Sequence, residues 1–106
     1  MQIEFTGRQT DIPPRLRALA ERKLLKVSKT LGGITRAHVI LTADKHRQIA
    51  EVTVQSRRRK LALTAQKQSA DLAASLTTVM DKLLRQAQRH VGKRRERKPG
   101  LAEPGD

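Results

Sequence analysis

Residues Ile34–Gln66, ITRAHVILTADKHRQIAEVTVQSRRRKLALTAQ, decide the fold. Ile34–Ala43 is rich in apolar and β-branched residues, and Asp44–Arg47 is a polar turn. Ile49–Gln55 alternates, with Ala50, Val52 and Val54 on one face and Glu51, Thr53 and Gln55 on the other. Arg57, Arg58 and Arg59 make a second turn. Leu61–Gln66 then alternates again, with Leu61, Leu63 and Ala65 on one side. Successive side chains of a strand point to opposite faces, so a period of two marks a half-buried strand. Three strands separated by polar breaks follow from this stretch.

The flanks supply the rest. Gln2–Thr6 alternates, with Ile3 and Phe5 inward, and reads as a first strand. After Gly7 and Arg8, Thr10 or Asp11 can cap a helix whose first turn accepts Pro13 and Pro14. The helix runs to about Leu31, where Gly32 and Gly33 stop it. On the other side, a second helix runs from about Ser69 to the mid-nineties, and Pro99 and Gly100 end it. The order is β-α-β-β-β-α. The expected architecture is an α+β two-layer sandwich, a four-stranded sheet with both helices on one face. Residues 1–98 form one domain, and residues 99–106 a short flexible tail.

Charge narrows the function. Lys and Arg number 23 against 10 acidic residues, for a formal charge of +13. Self-repulsion on this scale opposes compactness and points to a polyanionic partner, nucleic acid first and an anionic membrane surface second. Cysteine is absent, which excludes disulfides, thiol catalysis and Cys-based zinc sites. Met1–Thr10 lacks the features of a signal peptide, and no apolar run approaches the ~18 residues that span a bilayer, so the expected location is cytoplasmic. Phe5 is the sole aromatic residue and is expected in the core. It cannot build the stacking platform of single-strand readers, so binding should rest on phosphates, sugars and shape.

Projected at about 100° per residue, both helices are two-sided. In the first, Leu16, Ala20, Leu24, Val27 and Leu31 form an apolar stripe, and Arg15, Arg22, Lys26 and Lys29 fall on roughly the opposite face. In the second, Leu72, Leu76, Val79, Leu83 and Ala87 are the apolar stripe. Lys82, Arg85, Arg89 and Lys93 share another face, and Arg94, Arg95, Arg97 and Lys98 extend it. Ordinary surface helices intersperse acids that pair with such bases, yet no Asp or Glu stands between Lys82 and Lys93. If the helices lie side by side, the stripes flank one cationic surface. The Arg57–Lys60 run fits either a phosphate contact or a solvated hairpin tip.

Nothing assembles into a catalytic centre. His38, His46 and His90 lack metal-ligand spacing, there is no Gly-rich phosphate loop, and no Ser stands in a nucleophile elbow. No enzyme activity, cofactor, metal or small-molecule substrate is expected.

The chain resembles the short ribosome hibernation promoting factors and ribosome-associated inhibitors of bacteria, over about residues 1–93. Met1–Gly7 is similar to the family's first strand and turn. Leu16-Arg17, Lys23-Leu24 and Lys26-Val27 follow its first helix. Val39-Ile40-Leu41, Asp44–Arg47 and Ala50-Glu51-Val52 resemble its central hairpin. Asp71-Leu72, Ala74, Asp81-Lys82-Leu83, Arg85-Gln86 and Arg89-His90 resemble its second helix. No single piece is specific, but their order and spacing are. The resemblance implies a fold similar to double-stranded-RNA-binding domains. It also implies binding to the small ribosomal subunit and its 16S rRNA, in the channel used by messenger RNA and the A- and P-site transfer RNAs, so that whole ribosomes idle in stationary phase or stress. With the stripes, it gives as RNA-binding candidates Arg15, Arg22, Lys23, Lys26, Lys29, Lys45, Arg47, Lys82, Arg85, Gln86, Arg89, His90 and Lys93.

The sequence departs from the family at Ala73, where Tyr is usual, at Thr77, often Asp, and at Val91, usually Lys; Arg57–Lys60 replaces a commonly Gly-rich turn. Short members either work with a separate ribosome modulation factor to form ribosome dimers or hold single ribosomes inactive through an extended tail. The few residues after Lys98 favour the first expectation. The rival readings are a generic RNA-binding module or small ribosomal protein, and a peripheral membrane or scaffold protein that uses charge alone.

Overall fold

The structure, a computed structural model, describes residues 1–56 and 60–96, with side chains as far as residue 92. The elements are β1 (Gln2–Arg8), α1 (Pro14–Leu31), β2 (Arg36–Ala43), β3 (Gln48–Ser56), β4 (Leu61–Ser69) and α2 (Leu72–Glu96). They form the expected α+β sandwich. The sheet order is β1-β2-β3-β4, with β1 parallel to β2 and the other pairs antiparallel. The parallel pair requires a crossover, and α1 is that crossover. The turn at Asp44–Arg47 is closed by the Asp44 and Arg47 amides, each donating to the other's carbonyl.

The alternation read from the sequence is the alternation of burial. Ala37, Val39 and Leu41 of β2 and Ala50, Val52 and Val54 of β3 are buried on one face. A single row, Phe5–Val39–Val52–Ala65, crosses all four strands in register beneath the helices. Leu16, Ala20, Leu24, Val27 and Leu31 of α1 pack into the same core as Leu76, Val79, Met80, Leu83 and Ala87 of α2. The two helices also touch each other. Burial is what each of these side chains contributes; truncating one as enclosed as Leu24 to Ala costs about 2–5 kcal/mol. The opposite sheet face is polar and partly open. It carries the Thr6 Oγ1–His38 Nε2 hydrogen bond (2.8 Å) and the Thr53–Thr64 hydroxyl pair (3.1 Å).

Several expectations are corrected at element ends. Neither Thr10 nor Asp11 caps α1. Pro13 is the N-cap, extended at φ −61°, ψ 148°, because the following Pro14 excludes the helical region for it. Its carbonyl accepts from the amides of Leu16 and Arg17. The second helix begins at Leu72, not Ser69, because β4 continues past Gln66 to Ser69. Asp71 then caps the helix, its Oδ2 accepting from the Ala74 amide at 2.9 Å. The first strand likewise runs on to Arg8, and β2 starts at Arg36, with Ile34 buried just before it. Phe5 is half-buried rather than enclosed; the Arg17 guanidinium covers its ring at 4.8 Å from the centroid. The Gly32-Gly33 stop is as read: Gly32 adopts φ 81°, and the Gly33 amide donates to the Ser28 carbonyl at 2.8 Å. The turn at Arg57–Arg59, the stop at Pro99-Gly100 and the tail lie outside the described residues.

Candidate nucleic-acid interface

The core stripe of each helix fixes where its cations point. Once Leu16, Ala20, Leu24, Val27 and Leu31 are inward, Arg15, Arg22, Lys26 and Lys29 are exposed, with Lys23 half-buried. Once Leu76, Val79, Leu83 and Ala87 are inward, Lys82, Arg85 and Arg89 are exposed, with Gln86 and His90 half-buried. The stripe on α2 is turned toward the free edge of the sheet. Lys82 Nζ donates to the Gln66 carbonyl at 3.2 Å, and Gln86 Nε2 to the Thr64 carbonyl at 3.3 Å. Both carbonyls belong to β4, one of the two edge strands.

This packing brings four candidates together. Lys82, Arg85, Gln86 and Arg89 line a shallow groove of about 160 Å³. A second hollow, about 190 Å³, continues it with Gln86, Arg89, His90 and Leu63. The groove is lined by α2 alone, and the adjoining hollow adds Leu63 of β4. Lys45 and Arg47 lie in the β2–β3 turn, where Arg47 Nη2 is 3.4 Å from Asp44 Oδ2. The side chain of Lys93 and the cations beyond it lie outside the described residues.

Arg47–Asp44 is the only ion pair among the described residues. The helix cations have no carboxylate partner there, so their charge is available to an external anion. Exposed ammonium and guanidinium groups in a row can neutralise successive phosphates, and Gln86 adds an amide that accepts or donates. Among the described residues no group of three His, Cys, Asp or Glu could hold a metal. None of the described helices is long and apolar enough to cross a membrane. His38 is committed to Thr6 across the sheet.

Reasoning from sequence missed the contacts of Lys82 and Gln86 with the β4 edge. The spacing of Lys82 and Gln86, one helical turn apart, was visible; that an edge strand with outward carbonyls lay beside it was not. Arg17 on Phe5, the buried Ser75 and Met80, and the αL residue Lys60 were also missed.

Comparison with known proteins identifies the family and the fold. Residues 3–95 match the family model described as "Sigma 54 modulation protein / S30EA ribosomal protein". The chain is 31% identical over 100 residues to a ribosome hibernation promoting factor of Azotobacter vinelandii, covering 94% of this chain and 92% of that one. It is 28% identical to the Klebsiella oxytoca protein of the same name, covering 88% and 96%. Among solved structures, a ribosomal subunit interface protein from Coxiella burnetii superposes with TM-score 0.76 at 29% identity, covering 87% of this chain and 99% of that one. The N-terminal domain of Thermus thermophilus Protein Y gives 0.75 at 26%, covering 85% and 99%. With a family match over nearly all the described residues and a fold shared at this identity, the chain belongs to the Sigma 54 modulation / S30EA ribosomal protein family, the family of the ribosome hibernation promoting factors.

Proposed function

We propose that this protein is a ribosome hibernation factor. It binds the small ribosomal subunit through 16S rRNA, lies in the channel of messenger RNA and the A- and P-site transfer RNAs, and holds translation off in stationary phase or stress. The observation that carries the reading is the row of cations on α2, unpaired with any described acid and lining one groove, in a chain whose relatives bear that name. An RNA backbone presents a regular array of phosphates to such a row, and the absence of an aromatic platform favours phosphate and shape contacts over base stacking.

Sedimentation of vacant ribosomes with the protein tests this directly. The protein should travel with the small subunit, and messenger RNA plus initiator transfer RNA should displace it. Translation in a cell-free system should fall as ribosomes become occupied. Unchanged translation with the protein demonstrably bound would refute occupation of the channel. The same gradient reads the expected aid to ribosome dimers when a ribosome modulation factor is added.

A further inference from the structure

The two edges of the sheet differ. At β4, Lys82 and Gln86 reach across from α2 and donate to the Gln66 and Thr64 carbonyls. At β1 the sheet order ends, and no described strand lies beyond it. The Gln2 amide donates to the Thr35 carbonyl, and pairing runs from Gln2↔Arg36 to Arg8↔Thr42. The even-numbered residues of β1 therefore turn their N–H and C=O toward β2. These groups alternate in direction along a strand, so those of Ile3, Phe5 and Gly7 turn outward. The strand, QIEFTGR, holds neither the proline nor the lysine that commonly guards an open edge. Gln9, at φ 61°, follows its end.

The side chains of β1 fit one partner, another β1. Thr6 meets His38 on the open face of the sheet, so Glu4 and Arg8, at the same parity, stand on that face too. Both are exposed, and neither has an ion-pair partner among the described residues. In an antiparallel pairing of two β1 strands centred on Thr6, each Glu4 stands directly opposite the other copy's Arg8. These are non-hydrogen-bonded positions, where facing side chains are closest and opposite charges attract. Phe5 then faces the other copy's Gly7, each such pair exchanging both of its N–H···O bonds. Gly7 brings no side chain to crowd the Arg17 guanidinium that covers Phe5. The fully aligned register, centred on Phe5, would set Arg17 against Arg17 and Glu4 against Thr6. Charge permits the approach in a chain of +13. Arg17 lies on Phe5 and Glu21 stands one turn further along α1, so Glu4, Arg8, Arg17 and Glu21 on and over β1 cancel.

We propose that β1 is a self-pairing edge: it joins the β1 of a second copy, antiparallel about a twofold axis at Thr6, and so fuses two four-stranded sheets into one. The edge lies across the sheet from the strand that Lys82 and Gln86 touch, so pairing leaves the α2 groove open and is independent of what that groove binds. A strand edge this short buries little area, so the dimer is weak and forms at about 0.1–1 mM. The exposed Glu4–Arg8 pairs fix the register more than the affinity.

Sedimentation equilibrium of the full chain, freed of nucleic acid, should show a mass that rises with concentration toward twice the monomer. Glu4→Arg and Arg8→Glu should each raise the dissociation constant by about tenfold, with the melting temperature held. The double variant restores opposite charges across the axis and should recover the affinity of the unaltered chain. Arg8→Glu also lowers the net charge, so a gain in association with that variant would make general repulsion, not the edge, the governing term and overturn the proposal. Since the chain lacks cysteine, Thr6→Cys supplies a single thiol. Oxidation should link it to its copy across the axis, where the Cα atoms approach to about 4.5 Å, while Gln68→Cys on the other edge strand should stay unlinked. The charge variants carry the test without Thr6, which also bonds His38. A chain that stays monomeric at about 1 mM, a double variant that is not rescued, or equal linking at Gln68 and Thr6 would overturn the pairing.

Discussion

Asp71 illustrates how one side chain sets an element boundary. Its carboxylate takes the Ala74 amide, one of the donors that the first turn of α2 leaves unpaired, and its negative charge faces the positive end of the helix dipole. Asp71→Ala should therefore cost about 1 kcal/mol, read as a lower urea midpoint at unchanged m-value. Gly7 acts through space rather than charge: a Cβ there would run into the Thr10 carbonyl oxygen, which is backbone and cannot swing aside. Gly7→Ala should destabilise by about 1–3 kcal/mol in the same titration. Neither role was legible. Asp71 stands between Ser69 and a run of apolar residues, so either could have opened the helix. The choice depends on Ser69 meeting Ser75, which also donates to the Gln48 carbonyl of β3, a contact between distant parts of the chain. By contrast, the helix stop at Gly32 was legible, because a left-handed residue after an apolar stripe is a local requirement that glycine meets.

At the scale of elements, α2 has two tasks on one face. Its cations face outward, and Lys82 and Gln86 also satisfy two outward carbonyls of β4. An edge strand with free backbone groups is a template for pairing with another chain, and long polar side chains laid across it blunt that tendency. Both groups are exposed or half-buried, so water can replace either bond, and the fold should tolerate their loss. Replacing Lys82, Arg85 and Arg89 together by Gln should remove most ribosome binding while circular dichroism and melting temperature hold. A matched triple at Arg8, Arg36 and Lys67, exposed residues of the sheet, removes the same formal charge. Equal loss in both triples would mean that a diffuse field, rather than the α2 groove, drives binding. The stripes themselves were legible from a period of 3.6 residues, since each apolar position named on α1 is buried. Their relation was not: periodicity gives a face relative to one helix axis, and whether that face meets a neighbouring helix or a strand edge is decided by packing.

For the molecule as a whole, the formal charge of +13 makes salt the most direct probe. If the seven exposed candidate cations of the helices, Arg15, Arg22, Lys26, Lys29, Lys82, Arg85 and Arg89, each meet a phosphate while Arg17 stays on Phe5, log affinity should fall linearly with log salt with a slope of roughly −5 to −6. That is about a thousandfold loss between 50 and 200 mM salt, measurable by co-sedimentation. An affinity nearly indifferent to salt would refute phosphate contact as its basis. The topology carries a different consequence, for the order of events during folding. β2, β3 and β4 pair with sequence neighbours, whereas β1 pairs with β2 only after the whole of α1 has been placed between them. Closing that longer loop before any contact rewards it is slow, and parallel pairing is the weaker kind. The transition state should then contain the β2–β3–β4 meander and lack β1. In chevron experiments Val52→Ala should slow refolding, with φ of about 0.5–0.8, while Phe5→Leu should act almost wholly by speeding unfolding. The most N-terminal of the four strands would be the last to dock, and the first to leave.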